Sequence, residues 1–206
     1  MVRKAAKSDM KQLASQLYTL GAPSHPLGDY GDTLVHGLTE TAPDGTTLLM
    51  RTGPFVPPIS QAPFAVIVTD AVRAAMQRQQ FTGFTFAPVE KHRIVRLDWQ
   101  GWDPSAEGPA EFPDSGEPED YILRGIHDPQ TAREMGDLRE LRLPPIPCFQ
   151  ISGSSNYDPS KYSGQDICKM QRLGGYIYVS QRLRDWLFVN YAQWVTFKPA
   201  QPAAAA

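Results

Sequence analysis

The side chains able to do chemistry are few and scattered. Four histidines, His25, His36, His92 and His127, are spread along the chain, and no two stand at i, i+4 on a segment with helical character. A helical metal-hydrolase pair needs that spacing, because only then do both imidazoles leave one helix face. No HExxH, GxSxG, Walker loop or GxGxxG occurs in the sequence, so it lacks the motifs of the commonest hydrolase, phosphate-cradling and dinucleotide sites. His127-Asp128-Pro129 reads as a turn with a helix cap, not as a pair of metal ligands. Ser152-Gly153-Ser154-Ser155 is a polar loop, and a nucleophilic serine would need a base that the sequence does not place. Cys148 follows Pro144-Pro145-Ile146-Pro147 without the basic surroundings that make a thiolate reactive.

A denser constellation lies at 102–121. Residues 103–120 carry seven acidic groups (Asp103, Glu107, Glu111, Asp114, Glu117, Glu119, Asp120) and no basic one. Charge of this kind suits a solvated loop, and it also suits an acidic surface that docks on a basic partner. Trp102, Phe112 and Tyr121 add aromatic anchors of the type that dominate binding energy at protein interfaces. Trp102, Glu107, Glu111, Phe112, Asp114, Glu117, Glu119, Asp120 and Tyr121 are therefore the candidate partner-binding residues. Just upstream, Ile94, Leu97 and Trp99 fit the core of a sheet, ahead of Gly101 and Trp102.

The elements that must position this loop are announced by a repeated phrase. Residues 66–88, VIVTDAVRAAMQRQQFTGFTFAP, align without a gap on residues 177–199, IYVSQRLRDWLFVNYAQWVTFKP. The pairs Val68/Val179, Arg73/Arg184, Thr85/Thr196, Phe86/Phe197 and Pro88/Pro199 are identical. Each copy opens with an apolar, β-branched or aromatic run that reads as a buried strand. Thr69 or Ser180 follows, the residue type whose oxygen caps a free helix N–H. Val72, Ala75 and Met76 in one copy, and Leu183, Trp186 and Leu187 in the other, then fall on one helix face. A second run, Phe84-Thr85-Phe86 or Val195-Thr196-Phe197, leads to Pro88 or Pro199, which is expected to end the strand for want of a donor. Two similar strand–helix–strand units, one at 64–88 and one at 176–199, imply an α+β fold with mixed or antiparallel sheets, packed helices and long irregular loops.

At 206 residues, with 41% hydrophobic and 20% charged residues, the chain can bury roughly 70% of its unfolded surface, as an ordinary globular protein does. A net charge of −2 argues against nucleic acid as partner. No apolar stretch approaches a membrane span, and the N-terminus is interrupted by Ser8, Asp9, Lys11 and Gln12 where a secretory signal would be apolar. Two cysteines, Cys148 and Cys168, are too few for a disulfide framework, so a cytoplasmic location is expected. Nineteen prolines and sixteen glycines imply long connections, notably at 21–33 and 100–120. The expected division is an N-terminal helix and variable lead-in over 1–50, an α+β domain over 51–198, and a disordered tail over 199–206.

The order Gly53-Pro54-Phe55, Ala71-Val72-Arg73, Phe84-Thr85-Phe86-Ala87-Pro88, Leu138-Arg139-Glu140-Leu141 and Pro147-Cys148 resembles the double-CxxCG, myxobacterial-type group of immunity proteins from bacterial polymorphic toxin systems. The likeness covers about residues 50–199. It implies a non-enzymatic protein that binds one cognate toxin and blocks its active site, with no cofactor, nucleic acid or membrane, as a monomer or weak homodimer. The group's two CxxCG pairs are missing. Cys148 and Gly153 stand, but Ile151 occupies the second cysteine position and no N-terminal CxxC exists, so a four-thiolate zinc site cannot form. Two other readings stay open. One is a hydrolase using His92 or His127 with nearby carboxylates, and the other is a scaffolding module that dimerises through Trp186, Tyr191 and Trp194.

Overall fold

The computed structural model describes residues 16–63, 65–146, 157–159, 162–170 and 176–202. Residues 1–15, where the sequence suggests a helix, and Cys148 with the serine loop 152–155 lie outside the described residues. The chain is α+β. It divides into two compact units: Met1–Gly21, Gln79–Thr85 and Leu143–Ala206 form the first, and Ala22–Arg78 with Phe86–Arg142 the second.

The first unit holds a sheet in the order β11-β1-β10-β9-β8, made of β1 (Leu17–Gly21), β8 (Pro145–Ile146), β9 (Ile167–Met170), β10 (Ile177–Ser180) and β11 (Thr196–Pro199). Strand β10 is followed directly by a helix at Gln181–Tyr191. Ser180 caps that helix as expected, its hydroxyl accepting the Leu183 N–H at 3.2 Å. Leu183 and Leu187, four apart, are its buried face, while Leu17, Tyr157, Cys168, Tyr178 and Ala200 cluster as core. Truncating such a buried leucine to alanine removes about 2–5 kcal/mol.

The second unit holds a sheet in the order β2-β3-β6-β7-β5-β4. Its strands are β2 (Leu38–Thr41), β3 (Thr47–Gly53), β4 (Ile59–Ala62), β5 (Ala65–Thr69), β6 (Thr85–Arg96) and β7 (Leu138–Arg142). Its helices are α1 (Gly28–His36), α2 (Asp70–Arg78), α3 (Asp120–Leu123) and α4 (Pro129–Glu134), so the helix of the first unit is α5. Val66, Ile67 and Val68 are all buried, the uninterrupted apolar run of a strand covered on both faces. Helix α2 buries Val72 and Met76, and Leu49, Ile67, Ile94, Met135 and Leu138 form the core.

Both copies of the repeated phrase are strand–helix–strand: β5-α2-β6 and β10-α5-β11. In each, one strand separates the two. In the first unit β1 runs antiparallel to both β10 and β11. In the second, β7 fills the gap and is antiparallel to β5. The inserted strand comes from before the phrase in one unit and from after it in the other.

Three expectations are corrected. Pro88 does not end its strand, since β6 runs on to Arg96. Pairing with β3 begins only at Val89, so the proline's missing donor leaves no gap in that ladder. Pro199 does close β11, an edge strand. The turn-rich stretch 21–33 contains the start of α1. Residues 199–202 are ordered where a disordered tail is expected: Ala200 is buried, its N–H reaches Leu17 O at 2.9 Å, and Gln201 O accepts the Tyr157 N–H at 3.0 Å. Burial of a small apolar residue and main-chain bonds to β1 outweigh the low complexity of the sequence there.

Candidate partner-binding surface

Strand β6 delivers the chain to Trp99–Gly101, a single 3-10 turn, and from there to α3 the described backbone forms neither helix nor strand. Trp99 is the buried anchor at this corner. Phe55 and His25 meet its ring edge-on, with centroids 5.5 and 5.7 Å away. Ile94 is likewise buried, while Leu97 is half-buried.

Beyond the corner, aromatic rings and backbone carbonyls hold the loop. Tyr121 on α3 packs against Trp102 at 6.0 Å and Tyr30 at 6.3 Å, and its hydroxyl donates to Glu111 O. Burial pushes this phenol up to about 12, so it stays a donor at any working pH. Tyr30, on α1, donates its own hydroxyl to Gly116 O and meets Phe112 edge-on at 5.6 Å. Gly108 touches the ring tip so closely that a Cβ there would stand 2.7 Å from Phe112 Cζ. The Phe112 ring is thus located on two sides and still 62% exposed.

The nine sequence-derived residues therefore fall into two groups. Trp102 and Tyr121 are half-buried and fasten the loop. Asp120 is also committed inward, accepting from Ser115 Oγ and pairing with Arg124 at 2.6 Å. Glu107, Glu111, Phe112, Asp114 and Glu117 are exposed, and Glu119 is half-exposed. Among the described residues none of these five carboxylates forms an ion pair. Their uncompensated charge lies on the same loop as one open aromatic ring. Asp103, at the start of the loop, is instead turned onto the Ser105 N–H and hydroxyl at 2.8 and 2.7 Å, which hold its carboxyl below the usual range.

Sequence reasoning missed Tyr30, because nothing local ties α1 to a loop 86 residues away. It also missed Leu123 and Ile126, which are exposed at 45% and 88%. Ile126 stands alone between Gly125 and His127, and that isolation from any helical or strand period was the available signal.

The histidines are mostly structural. Nδ1 of His127 accepts the Ile94 N–H at 3.0 Å, that of His25 the Leu27 N–H at 3.2 Å, and that of His36 the Gln61 N–H at 3.3 Å. A ring nitrogen occupied by a main-chain donor cannot also serve as a base. His92 faces Glu90 two residues away on β6 at 3.5 Å. Asp128 caps α4, accepting from the Gln130 and Thr131 N–H groups. Among the described residues no three His, Cys, Asp or Glu side chains gather as metal ligands, and no helix is long and apolar enough to cross a membrane.

One further charged cluster lies in the first unit. Asp166, nearly buried, accepts from Arg182 Nη2 at 2.6 Å and Nε at 3.0 Å, from Ser180 Oγ at 2.9 Å and from the Thr82 N–H at 2.9 Å. Burial alone would raise this carboxyl, but those donors hold it below the usual range. Arg182 also donates to Gln79 O and Gln80 O, each at 3.1 Å. The cluster secures the 79–85 segment, where Gly83 at φ +97° lies so near Ile167 O that a Cβ would be 2.1 Å away. These bonds make the cluster a clasp on that segment.

The fold and these sites define an α+β protein with a fastened acidic, aromatic loop. In comparisons with protein families, curated proteins and solved structures, nothing matches the chain.

Proposed function

We propose that this chain is an immunity protein, which binds one cognate protein toxin and covers its active site while making and breaking no bonds itself. The observation that carries the reading is the open Phe112 ring, held by Tyr30 and Gly108, on a loop whose carboxylates Glu107, Glu111, Asp114, Glu117 and Glu119 form no ion pair among the described residues. A loop kept only for solubility would not need its one exposed aromatic fixed in place. Preorganisation of this kind lowers the ordering cost of binding. The charge on that loop would speed the encounter with a basic partner.

Co-expression with a large secreted protein of variable C-terminal domain, sought in the reading frame beside this gene, tests the proposal. Wild type should restore growth. Phe112→Ala with Glu117→Lys and Glu119→Lys should lose that protection, with slower association and a weaker dependence on salt. Equal protection by the triple variant at equal abundance would acquit the loop.

A further inference from the structure

We propose that helix α1 is held at both ends by neutral imidazoles, those of His25 and His36, and that protonating them in mildly acid solution frees the helix and the loop that Tyr30 fastens, so that partner binding is switched by pH. The inference rests on the immunity reading for there being a protein partner, and it adds the regulation of that surface.

The same device stands at each end. At the N-terminus, Leu27 occupies the cap position of α1 and supplies no side-chain acceptor. His25 supplies one to it, its Nδ1 accepting the Leu27 N–H at 3.2 Å, while the His25 N–H donates to Asp32 Oδ1 at 2.9 Å. The ring lies directly on the helix, since a Cβ on Gly31 would stand 1.9 Å from His25 Nδ1. At the C-terminus, His36 Nδ1 accepts the Gln61 N–H at 3.3 Å, which ties the last residue of α1 to β4. An imidazole that accepts at Nδ1 carries its single proton on Nε2. A second proton can enter only at Nδ1, where a main-chain N–H already points. Protonation therefore turns each of these bonds into a contact between two donors.

The surroundings decide the direction. Burial disfavours the charged form of both rings and is the largest effect on each. Asp32 on α1 opposes it at both, as does the negative end of the helix dipole at His36. The Arg51 cation on β3 and His25 itself add to burial at His36. Arg51 is wholly buried and donates to Val35 O at 3.2 Å, so a proton on His36 sets a second charge beside one already held out of water. Both imidazoles lie below the ordinary 6.5 in consequence. Released from the fold they regain it, so falling pH favours the freed helix. That matters because α1 carries Tyr30, whose hydroxyl donates to Gly116 O and whose ring meets Phe112 at 5.6 Å. A helix loose at both ends cannot fix either contact, and the ordering cost of the loop returns to the binding step.

The test has two arms. The first follows the full chain alone by NMR and amide exchange from about pH 7.5 to about pH 5.5, where histidines titrate and ordinary carboxylates stay ionised. The Leu27 and Gln61 amide signals should move together with the His25 and His36 ring signals. Exchange over 28–36 and 111–117, corrected for its intrinsic pH dependence, should quicken about tenfold. Amides that keep their shifts, or exchange that rises equally in both units, overturn the proposal. The second arm measures affinity for the partner from the protection assay. Wild type should bind about tenfold more weakly at the lower pH. His25→Asn with His36→Asn should bind alike at both, because the asparagine Oδ1 can stand where Nδ1 stood and takes up no proton. His92→Asn, at an exposed position beside Glu90 on β6, should keep the wild-type dependence. If the double variant does not fold, His36→Asn alone should still show a smaller dependence than wild type. Asparagine variants that keep the full dependence, or a wild type without one, overturn the switch and leave the immunity reading standing. A wild-type chain that gives no protection overturns the immunity reading instead, and the first arm then judges the release of α1 and its loop alone.

Discussion

Arg51→Met removes a charge that the fold has taken wholly out of water while keeping much of the side chain's length and apolar bulk. Arg51 lies on β3, and Nε donates to Thr52 O at 3.1 Å. Nη2 donates to Val35 O at 3.2 Å and to Phe55 O at 3.3 Å. Among the described residues Nη1 has no hydrogen-bond partner and no carboxylate forms an ion pair with the guanidinium. Desolvation lowers it from the ordinary 12.5 to about 10, which corresponds to about 3 kcal/mol of lost solvation. Val35 belongs to the last turn of α1, where carbonyls lack helical partners and the helix dipole is negative. The cation therefore works as a buried clasp on the end of that helix, the helix that carries Tyr30. The approach is tight, since a Cβ on Gly37 (φ +69°) would stand 2.7 Å from Arg51 Cβ. Methionine recovers the ~3 kcal/mol of solvation but strands three carbonyls at about 1–3 kcal/mol each. The midpoint is a net loss of about 3 kcal/mol, and for a chain of this size Tm should fall by about 6–12 °C. Thermal melts by circular dichroism measure this, and amide exchange in α1 should rise with it. A variant as stable as wild type, or more so, would refute the reasoning. It would mean that the charge is a net burden, as buried ionic groups sometimes prove when apolar residues replace them.

Asp166→Ala should lose about 3 kcal/mol, the low end for a broken buried pair because Arg182 is half in water, with faster amide exchange over 79–85; unchanged exchange there would dismiss the clasp. The donors around Asp166 hold its carboxyl below the usual range, so the stability it supplies is full above about pH 4 and is lost as pH falls through the folded value. Burial lowers His25 and His36 below their ordinary 6.5, against the opposing pull of Asp32. The unfolded chain then binds protons more readily than the folded one, so stability is full above about pH 6.5 and falls as the pH drops below it. Tm should decline between pH 7 and 5, and His36→Gln should flatten that decline. A wild-type Tm that is flat over the same interval would reject this assignment.

What the sequence made legible was local and periodic. The pairs Val68/Val179, Val72/Leu183 and Met76/Leu187 are buried in both units, because an apolar residue at strand or helix spacing has one way to leave water. The Ser180 cap is of the same kind, since its bond to Leu183 closes within one turn. The identical arginines were not informative. Arg73 pairs with Asp70 at 2.6 Å, while the Arg184 guanidinium stacks 4.6 Å from the Tyr18 ring, so a shared letter covers two unrelated jobs. Composition alone could not show which strand enters each strand–helix–strand gap, because β1 and β7 are recruited from opposite directions along the chain.

The acidic loop shows the same limit at the site itself. Its charge and aromatic content are plain in the sequence, but whether those groups face a partner or the fold depends on contacts made far along the chain. Tyr30 crosses 86 residues to reach Gly116, and Asp120 turns inward to Ser115 and Arg124. With Asp103 turned onto Ser105, two of the seven acidic residues are engaged within the loop and its short helix, and one aromatic out of three is left open. The function proposed here therefore depends less on how acidic the loop is than on the rigidity with which α1 holds Phe112 out of the core. Arg51, which fastens the other end of the same helix, is accordingly expected to weaken partner binding when replaced, although it lies wholly buried and can touch no partner.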